Sequence, residues 1–259
     1  MLIFFGILAD VPDRVLILLI FLVIWPLISI GGALLGGYLL SPLYLLLHKK
    51  ILGNKLVYGI EERPQQQEFD KTWRGLFPAL MAISLTMMLL FNESIQNLIS
   101  GGGEGLSEVD VLMNTFIILL TIFIFVSIAI FGGIWFLLDA GIVYSNKDKV
   151  ENKDQPIENK SVGGFYKILL KGYAGIGAAI AYYELVIFIL SILIHGFDPM
   201  IFLVFAFYMP FPIYASIILL PAIILLDIMK QNRINYVRKR AAKLGISDYV
   251  ELTFTKIEK

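Results

Sequence analysis

Apolar side chains fall into five long blocks separated by polar segments, and this arrangement constrains the fold more than any motif does. The blocks cover residues 15–47, 76–99, 111–144, 163–194 and 200–229. An α-helix needs about 20 apolar residues to cross roughly 30 Å of hydrocarbon. Lipid also requires every backbone polar group to be satisfied internally. The sequence therefore predicts an all-α polytopic transmembrane helix bundle of about five spans over residues 1–229.

The amino-acid composition is consistent with a lipid environment and excludes several kinds of functional site. Apolar residues make up 58% of the chain and charged residues 16%, whereas soluble domains contain about 45–50% and about 25%. The absence of cysteine excludes disulfides, thiolate metal sites and cysteine nucleophiles. Basic residues are not interleaved with aromatics, so no nucleic-acid partner is predicted. The abundance of isoleucine and lysine favours a prokaryotic or archaeal source.

The positions of lysine and arginine predict the orientation. All of the 21 basic residues except Arg14 lie in segments 48–75, 145–171 and 230–259, and the loops 92–110 and 195–199 contain none. With five spans, the three basic segments face one side, which the positive-inside rule makes cytosolic. We expect a multi-pass cell-membrane protein with its N-terminus outside and its C-terminus in the cytosol. Segment 145–162 is expected to be a mobile loop.

Small residues recur at helical spacing within the predicted spans. Helices in lipid associate through close backbone approach, which small residues permit. We predict that they form packing faces within one bundle, with a homo-oligomer interface as the open alternative. The predicted packing residues are Gly32, Gly36, Gly133, Gly175, Gly177 and Ala181.

Glu184 is the most informative polar residue in the spans. It lies about 12 residues before Gly196, hence about 18 Å from the outer end of the fourth span and close to the bilayer midplane. An ionised, unpaired carboxylate there would cost a few kcal/mol (about 2.5–3.5 on the insertion scale). We therefore expect a carboxyl group that is protonated or held by hydroxyl donors. Residues sharing its helical face or its depth are Gly177, Ala181, Phe188, Ser191, His195, Ser84, Thr86, Thr121, Tyr208 and Tyr214.

Two interpretations of Glu184 remain open. One is a proton or cation relay that uses a buried polar site. The other is a hydrogen-bonded acid that fixes helix packing, and a lone intramembrane acid favours this second interpretation. The residues predicted for the relay or buried polar site are Glu184, Ser191, His195, Tyr208 and Tyr214.

The inner ends of the spans carry further charges. Asp139 and Asp227 are expected at the cytosolic interface, paired with Lys50, Arg74, Lys167 or Lys171, in exposed pairs of little energetic value. Residues 230–259 are predicted to form a cytosolic basic helix, ended by Gly245, and a short tail. Its cations either contact anionic lipid or serve only as topogenic charge. The predicted lipid contacts are Arg233, Arg238, Lys239, Arg240 and Lys243.

No motif in the sequence specifies a reaction. It contains no phosphate-binding glycine loop, no His-Glu-x-x-His and no Gly-x-Ser-x-Gly. We therefore predict no catalytic residue, no metal site and no cofactor. The favoured hypothesis is a non-enzymatic scaffold, assembly partner or subunit of a membrane complex. The alternative is a small-solute or ion transporter that uses Glu184 and the proline-rich fifth span.

Overall fold

A computed structural model of the chain describes residues 19–61, 69–90, 108–147, 159–196 and 211–246. Its helices are α1 (Trp25–Leu35), α2 (Ser41–Leu52), α3 (Phe69–Leu90), α4 (Glu108–Ala140), α5 (Val162–His195), α6 (Phe211–Ile228) and α7 (Lys230–Lys243). A π-helical turn, Ile20–Ile24, precedes α1, and a second one, Gly36–Leu40, joins α1 to α2 in one continuous helical run.

Most of the described chain is helical, as the sequence predicts. Four helical segments are long and apolar enough to cross a membrane: Leu22–Leu52, Thr115–Ala140, Val162–Ile194 and Phe211–Ile228. The apolar part of α3, Arg74–Leu89, is shorter. By length and composition these four segments are consistent with a membrane protein, and the predicted helical bundle is confirmed at this level.

Helix α4 lies at the centre of the bundle. It packs against the α1–α2 run, α3, α5 and α7. Helix α3 lies between α4, α5 and α6, and α6 packs back against α1. Helix α5 therefore occupies one side of the bundle, where it packs mainly against α3 and α4.

Glycines bring α4 close to the α1–α2 run. A Cβ atom at Gly36 would overlap the backbone of Ala129, and one at Gly132 would lie 2.7 Å from the carbonyl oxygen of Ala33. A Cβ at Gly133 would lie 2.9 Å from the side chain of Leu40. Close backbone approach of this kind is the main source of helix association in lipid. Three of the predicted packing residues lie at this crossing: Gly32, Gly36 and Gly133.

A small antiparallel sheet was missing from the sequence-based prediction. Its strands are β1 (Leu56–Ile60), β2 (Ile142–Asn146) and β3 (Lys160–Ser161), in the order β1-β2-β3. Tyr58 pairs with Tyr144 at the centre of the β1–β2 ladder. Residues 145–146 and 160–161, predicted to belong to a mobile loop, are instead sheet residues.

The third span ends earlier than residue 144 because of Gly141. This residue has φ +69°, a left-handed conformation that a side chain disfavours. A Cβ there would also overlap the carbonyl oxygen of Glu61, whose backbone N–H donates to the Gly141 carbonyl at 2.9 Å. Gly141 therefore turns the chain from α4 directly into β2.

Candidate functional site

The face of α5 that contains Glu184 is directed towards α3. Gly177, two helical turns before Glu184 on the same face, is buried, and a Cβ there would overlap the carbonyl oxygen of Leu80. The same Cβ would lie 3.1 Å from the Cβ of Ser84. The Ser84 hydroxyl is buried without a hydrogen-bond partner in the described part of the chain. The helix backbone thus places Glu184 on the face that packs against α3.

Most residues of the predicted polar site lie outside what the structure describes. The side chains of Glu184, Ala181, Ser191 and His195 and all of Tyr208 lie outside what the structure describes. Tyr214 is exposed and lines an apolar groove with Leu22 and Pro26, between α6 and α1. Tyr214 therefore lies at this groove, and the polar site around Glu184 stays a prediction. Thr86 bonds within its own helix, to the Ala82 carbonyl at 2.7 Å.

The opposite face of α5 is exposed and combines glycines with tyrosines. We call this the outer face of α5 and define it as Gly172, Gly175, Ala179, Tyr182 and Tyr183. Tyr182 is 69% exposed and Tyr183 is 61% exposed. No neighbouring atom of the described chain lies within 4 Å of the position that a Cβ at Gly172 or Gly175 would occupy. Gly175, predicted to pack, therefore has no packing neighbour within the described chain.

At the C-terminal end of α4, a largely buried charge cluster joins four helices. We call it the four-charge cluster: Arg74 of α3, Asp139 of α4, Asp227 of α6 and Arg233 of α7. Asp139 accepts from Arg74 at 3.0 Å and from Arg233 at 2.7 Å, and Asp227 lies 3.7 Å from Arg74. The predicted pairing of Asp139 and Asp227 with Arg74 is confirmed. The Asp139 pair is buried rather than exposed, whereas the Asp227 side chain is 29% exposed.

Arg233 is the member that sequence reasoning assigned wrongly. Its side chain is 0% exposed and that of Asp139 is 6% exposed. The guanidinium also lies over the Phe136 ring, 5.1 Å from its centroid. Burial lowers the pKa of Arg233, and the Asp139 carboxylate opposes that shift. An arginine inside the bundle does not reach lipid headgroups, so the predicted lipid contact is corrected for this residue.

Helix α7 docks against the bundle through a carbonyl that a proline exposes. Pro42 lacks the N–H that would otherwise bond to the carbonyl of Tyr38 four residues earlier. The hydroxyl of Tyr236 donates to that Tyr38 carbonyl at 2.9 Å. Arg238 donates to the Ala140 carbonyl at 3.1 Å, and Lys49 bonds to the Leu244 carbonyl at the end of α7. Arg238, too, therefore makes an internal contact as well as any predicted lipid contact.

The remaining predicted lipid contacts point outward. Lys239, Arg240 and Lys243 are exposed and, with Tyr236, line a surface cavity of about 200 Å³. The Arg240 guanidinium lies 5.4 Å from the centroid of the Tyr236 ring. The docked geometry of α7 thus divides the five predicted lipid-contact residues into an inward pair, Arg233 and Arg238, and an outward group of three.

An aromatic cluster attaches the sheet to α2 and α5. His48 is buried, and its Nδ1 lies 2.9 Å from the Tyr58 hydroxyl. The rings of Tyr144 and Phe165 lie 4.8 Å and 5.1 Å from the His48 ring. Burial, together with the neighbouring Tyr166 and Tyr144, raises the pKa of Tyr58 to about 12. The cluster explains why β1 and β2 are held against the helix ends.

Comparisons with known proteins assign the chain to no family. No protein-family profile matches the chain, no curated protein is significantly similar, and no solved structure matches significantly. The chemistry of the described residues therefore has to be interpreted by itself. It comprises an exposed small-residue helix face, a neutral buried charge cluster and an outward cationic group.

Proposed function

We propose that the protein is a non-enzymatic assembly subunit of a membrane complex, in which a transmembrane helix of another chain covers the outer face of α5. The supporting observation is the position of Tyr182 and Tyr183. Tyr183 lies 12 residues, or about 18 Å, before the end of α5 at His195. Tyrosines in membrane proteins concentrate at the interfaces, where their hydroxyls meet water. Two exposed tyrosines near the middle of the span favour a protein neighbour that accepts their hydrogen bonds.

The glycines beside these tyrosines fit the same neighbour. Gly172, Gly175 and Ala179 leave a shallow path along the helix between the tyrosines, which lets a second backbone approach closely. Against lipid alone, an exposed glycine only weakens the helix, by roughly 1 kcal/mol relative to alanine. Close packing of a partner helix over the glycine offsets this loss of helix stability.

The length of the exposed apolar surface also supports assembly. Along the α1–α2 run, exposed apolar side chains extend from Leu22 to Ile51, a helical length of about 44 Å. A hydrocarbon layer of about 30 Å accommodates roughly 39 Å even at a tilt of about 40°. The excess of about 5 Å favours a protein neighbour along part of this run.

We further infer that α3 is a fifth crossing and that the chain runs from outside to inside. Helix α3 has 22 residues, about 33 Å, and packs between α4, α5 and α6. Five crossings place all basic segments on one side, and the positive-inside rule makes that side cytosolic. The charge distribution and the position of α3 support this topology in the cell membrane.

Site-specific photo-crosslinking from Gly175 tests the assembly proposal. A photoreactive residue at Gly175 should give one discrete product in native membranes, containing this chain and one partner helix. The matched control is Gly31 of α1, which is also exposed and where an added Cβ would meet no atom of the described residues within 4 Å. A photoreactive residue there should label only lipid. Equal labelling of lipid from both positions would contradict the proposal.

Two leucine substitutions test the assembly proposal without crosslinking. Gly175→Leu should abolish the discrete complex while the chain remains monodisperse, because the position has free space in the described chain. Gly31→Leu should leave the complex intact. Förster transfer between labelled copies in vesicles distinguishes a second copy of this chain from a different partner. If Gly175→Leu leaves the complex unchanged, the outer face of α5 is not the interface.

The alternative is a transporter that uses Glu184, and the unpartnered hydroxyl of Ser84 favours it. Within the described chain, Ser84 faces α5 close to Gly177, which lies on the same helical face as Glu184, two turns away. A relay between these groups predicts that Glu184→Gln abolishes proton- or ion-coupled flux in proteoliposomes while the protein stays folded. Unchanged flux in this variant would exclude the relay.

A further inference from the structure

The outward cations of α7 form one helical stripe beside a cavity. Tyr236, Lys239, Arg240 and Lys243 follow the spacing i, i+3, i+4 and i+7, which places them on a single face. Together they line about 200 Å³ of surface space. The Tyr236 ring is held in place by its hydrogen bond to Tyr38 and by an edge contact with the Tyr38 ring, whose centroid is 4.9 Å away. Tyr236 in turn supports the Arg240 guanidinium.

These three cations are not neutralised by the contacts that hold α7. The acids of the four-charge cluster are engaged with Arg74 and Arg233. Arg238 donates to a backbone carbonyl. Like charges three and four residues apart on a helix repel one another. A ligand with more than one negative oxygen would relieve that repulsion and can accept hydrogen bonds from several of these side chains at once.

The position of the stripe points to a membrane ligand. A single residue separates the start of α7 at Lys230 from the end of the apolar helix α6 at Ile228. Lys49 bonds to the carbonyl of Leu244, so the end of α7 lies level with the last turn of α2, where Ile51 is 74% exposed. The cations of α7 and the exposed apolar side chain of Ile51 thus lie at the same level of the bundle. A lipid, which has an acidic headgroup and apolar chains, can contact both.

We propose that Tyr236, Lys239, Arg240 and Lys243 form a binding site for the phosphate-bearing headgroup of an anionic membrane lipid. The cations bind the phosphate oxygens, and the Tyr236 ring forms the wall of the site. Arg233 and Arg238 hold α7 in the position that creates the site. This proposal is independent of the assembly interface on α5.

Titration of the purified protein in a neutral detergent, followed by native mass spectrometry, tests this site. The probes are dioctanoyl phosphatidic acid, dioctanoyl phosphatidylcholine and inorganic phosphate. The test variant combines Lys239→Gln, Arg240→Gln and Lys243→Gln. The matched control combines Lys50→Gln, Lys55→Gln and Lys171→Gln, which removes the same charge from exposed residues elsewhere. Glutamine preserves helix propensity.

The wild type should bind phosphatidic acid in preference to phosphatidylcholine. The test variant should bind phosphatidic acid about a hundredfold more weakly, since each cation near a membrane surface contributes several-fold to affinity. The control variant should stay within about threefold of the wild type. Equal weakening in both variants would show diffuse electrostatic attraction and overturn the site. If inorganic phosphate binds as tightly as phosphatidic acid, the lipid assignment is wrong.

Discussion

Replacing Asp139 with asparagine tests the role assigned to the four-charge cluster. The substitution keeps the shape of the side chain but removes the negative charge that Arg74 and Arg233 share at 3.0 Å and 2.7 Å. Asp227 then remains as the only acid of the cluster, and Arg233 is left buried without its partner. Removing one member of a buried ion pair costs about 3–5 kcal/mol, because the other charge loses its compensation.

Two further variants separate this effect from a general loss of charge. Asp227 is 29% exposed and lies 3.7 Å from Arg74, so Asp227→Asn should cost only about 0–1 kcal/mol. The double variant Asp139→Asn with Arg233→Met removes both buried charges. It should recover most of the lost stability, since an apolar replacement of a buried pair is often neutral.

Thermal unfolding in detergent measures the difference. At about 2–4 °C for each kcal/mol in a chain of this size, Asp139→Asn should lower the midpoint by roughly 6–20 °C. Asp227→Asn should lower it by no more than about 4 °C. If the two single variants unfold at the same temperature, or if the double variant is the least stable, the cluster does not hold α3, α4 and α7 together as described.

Three further substitutions test other contacts. Gly36→Leu should destabilise the bundle by about 3 kcal/mol, since the added side chain would overlap the backbone of Ala129. Gly31→Leu should change the unfolding midpoint little. Equal effects of the two substitutions would place the α1–α4 crossing elsewhere. Tyr236→Phe should cost about 0.5–1.5 kcal/mol by removing the hydrogen bond to the Tyr38 carbonyl. Tyr214→Phe, at an exposed residue, serves as the neutral control in the same thermal assay. The pKa of Tyr58 is about 12 in the folded protein and about 10 in the unfolded chain, so between pH 10 and pH 12 only the unfolded chain loses this proton. The stabilisation is therefore fully present below pH 10 and is lost as the pH rises towards 12. A Tyr58→Phe variant that loses stability equally steeply at alkaline pH would contradict the assignment.

The helical bundle could be predicted because apolar runs of this length have few alternatives in lipid. Within the described residues, the five predicted blocks correspond to the helical run of α1 and α2 and to the helices α3 to α6. The parts of the blocks at 15–18, 91–99 and 200–210 lie outside the described residues. The ends were less predictable because they depend on contacts between distant segments. Gly141, for example, ends α4 by fitting against Glu61, which is far away in the sequence.

The candidate sites were predicted only in part for the same reason. Helical spacing identified the Gly177 face correctly as one that packs, since periodicity on one helix is local information. The partner of Asp139 could not be identified from spacing, because Arg233 reaches it from a helix 94 residues further along the chain. The sheet was missed because β1 and β2 are only five residues each, and such strands depend on pairing rather than on their own pattern.

Accessibility of single cysteines in intact cells tests the membrane topology most directly. The chain contains no cysteine, so Lys55→Cys, next to β1, and Gly102→Cys, in the loop without basic residues, each provide one reactive thiol. A membrane-impermeant maleimide should label the cysteine at 102 at once and that at 55 only after the cells are permeabilised. Labelling of position 55 from outside, with position 102 silent, would contradict both the number of crossings and their direction.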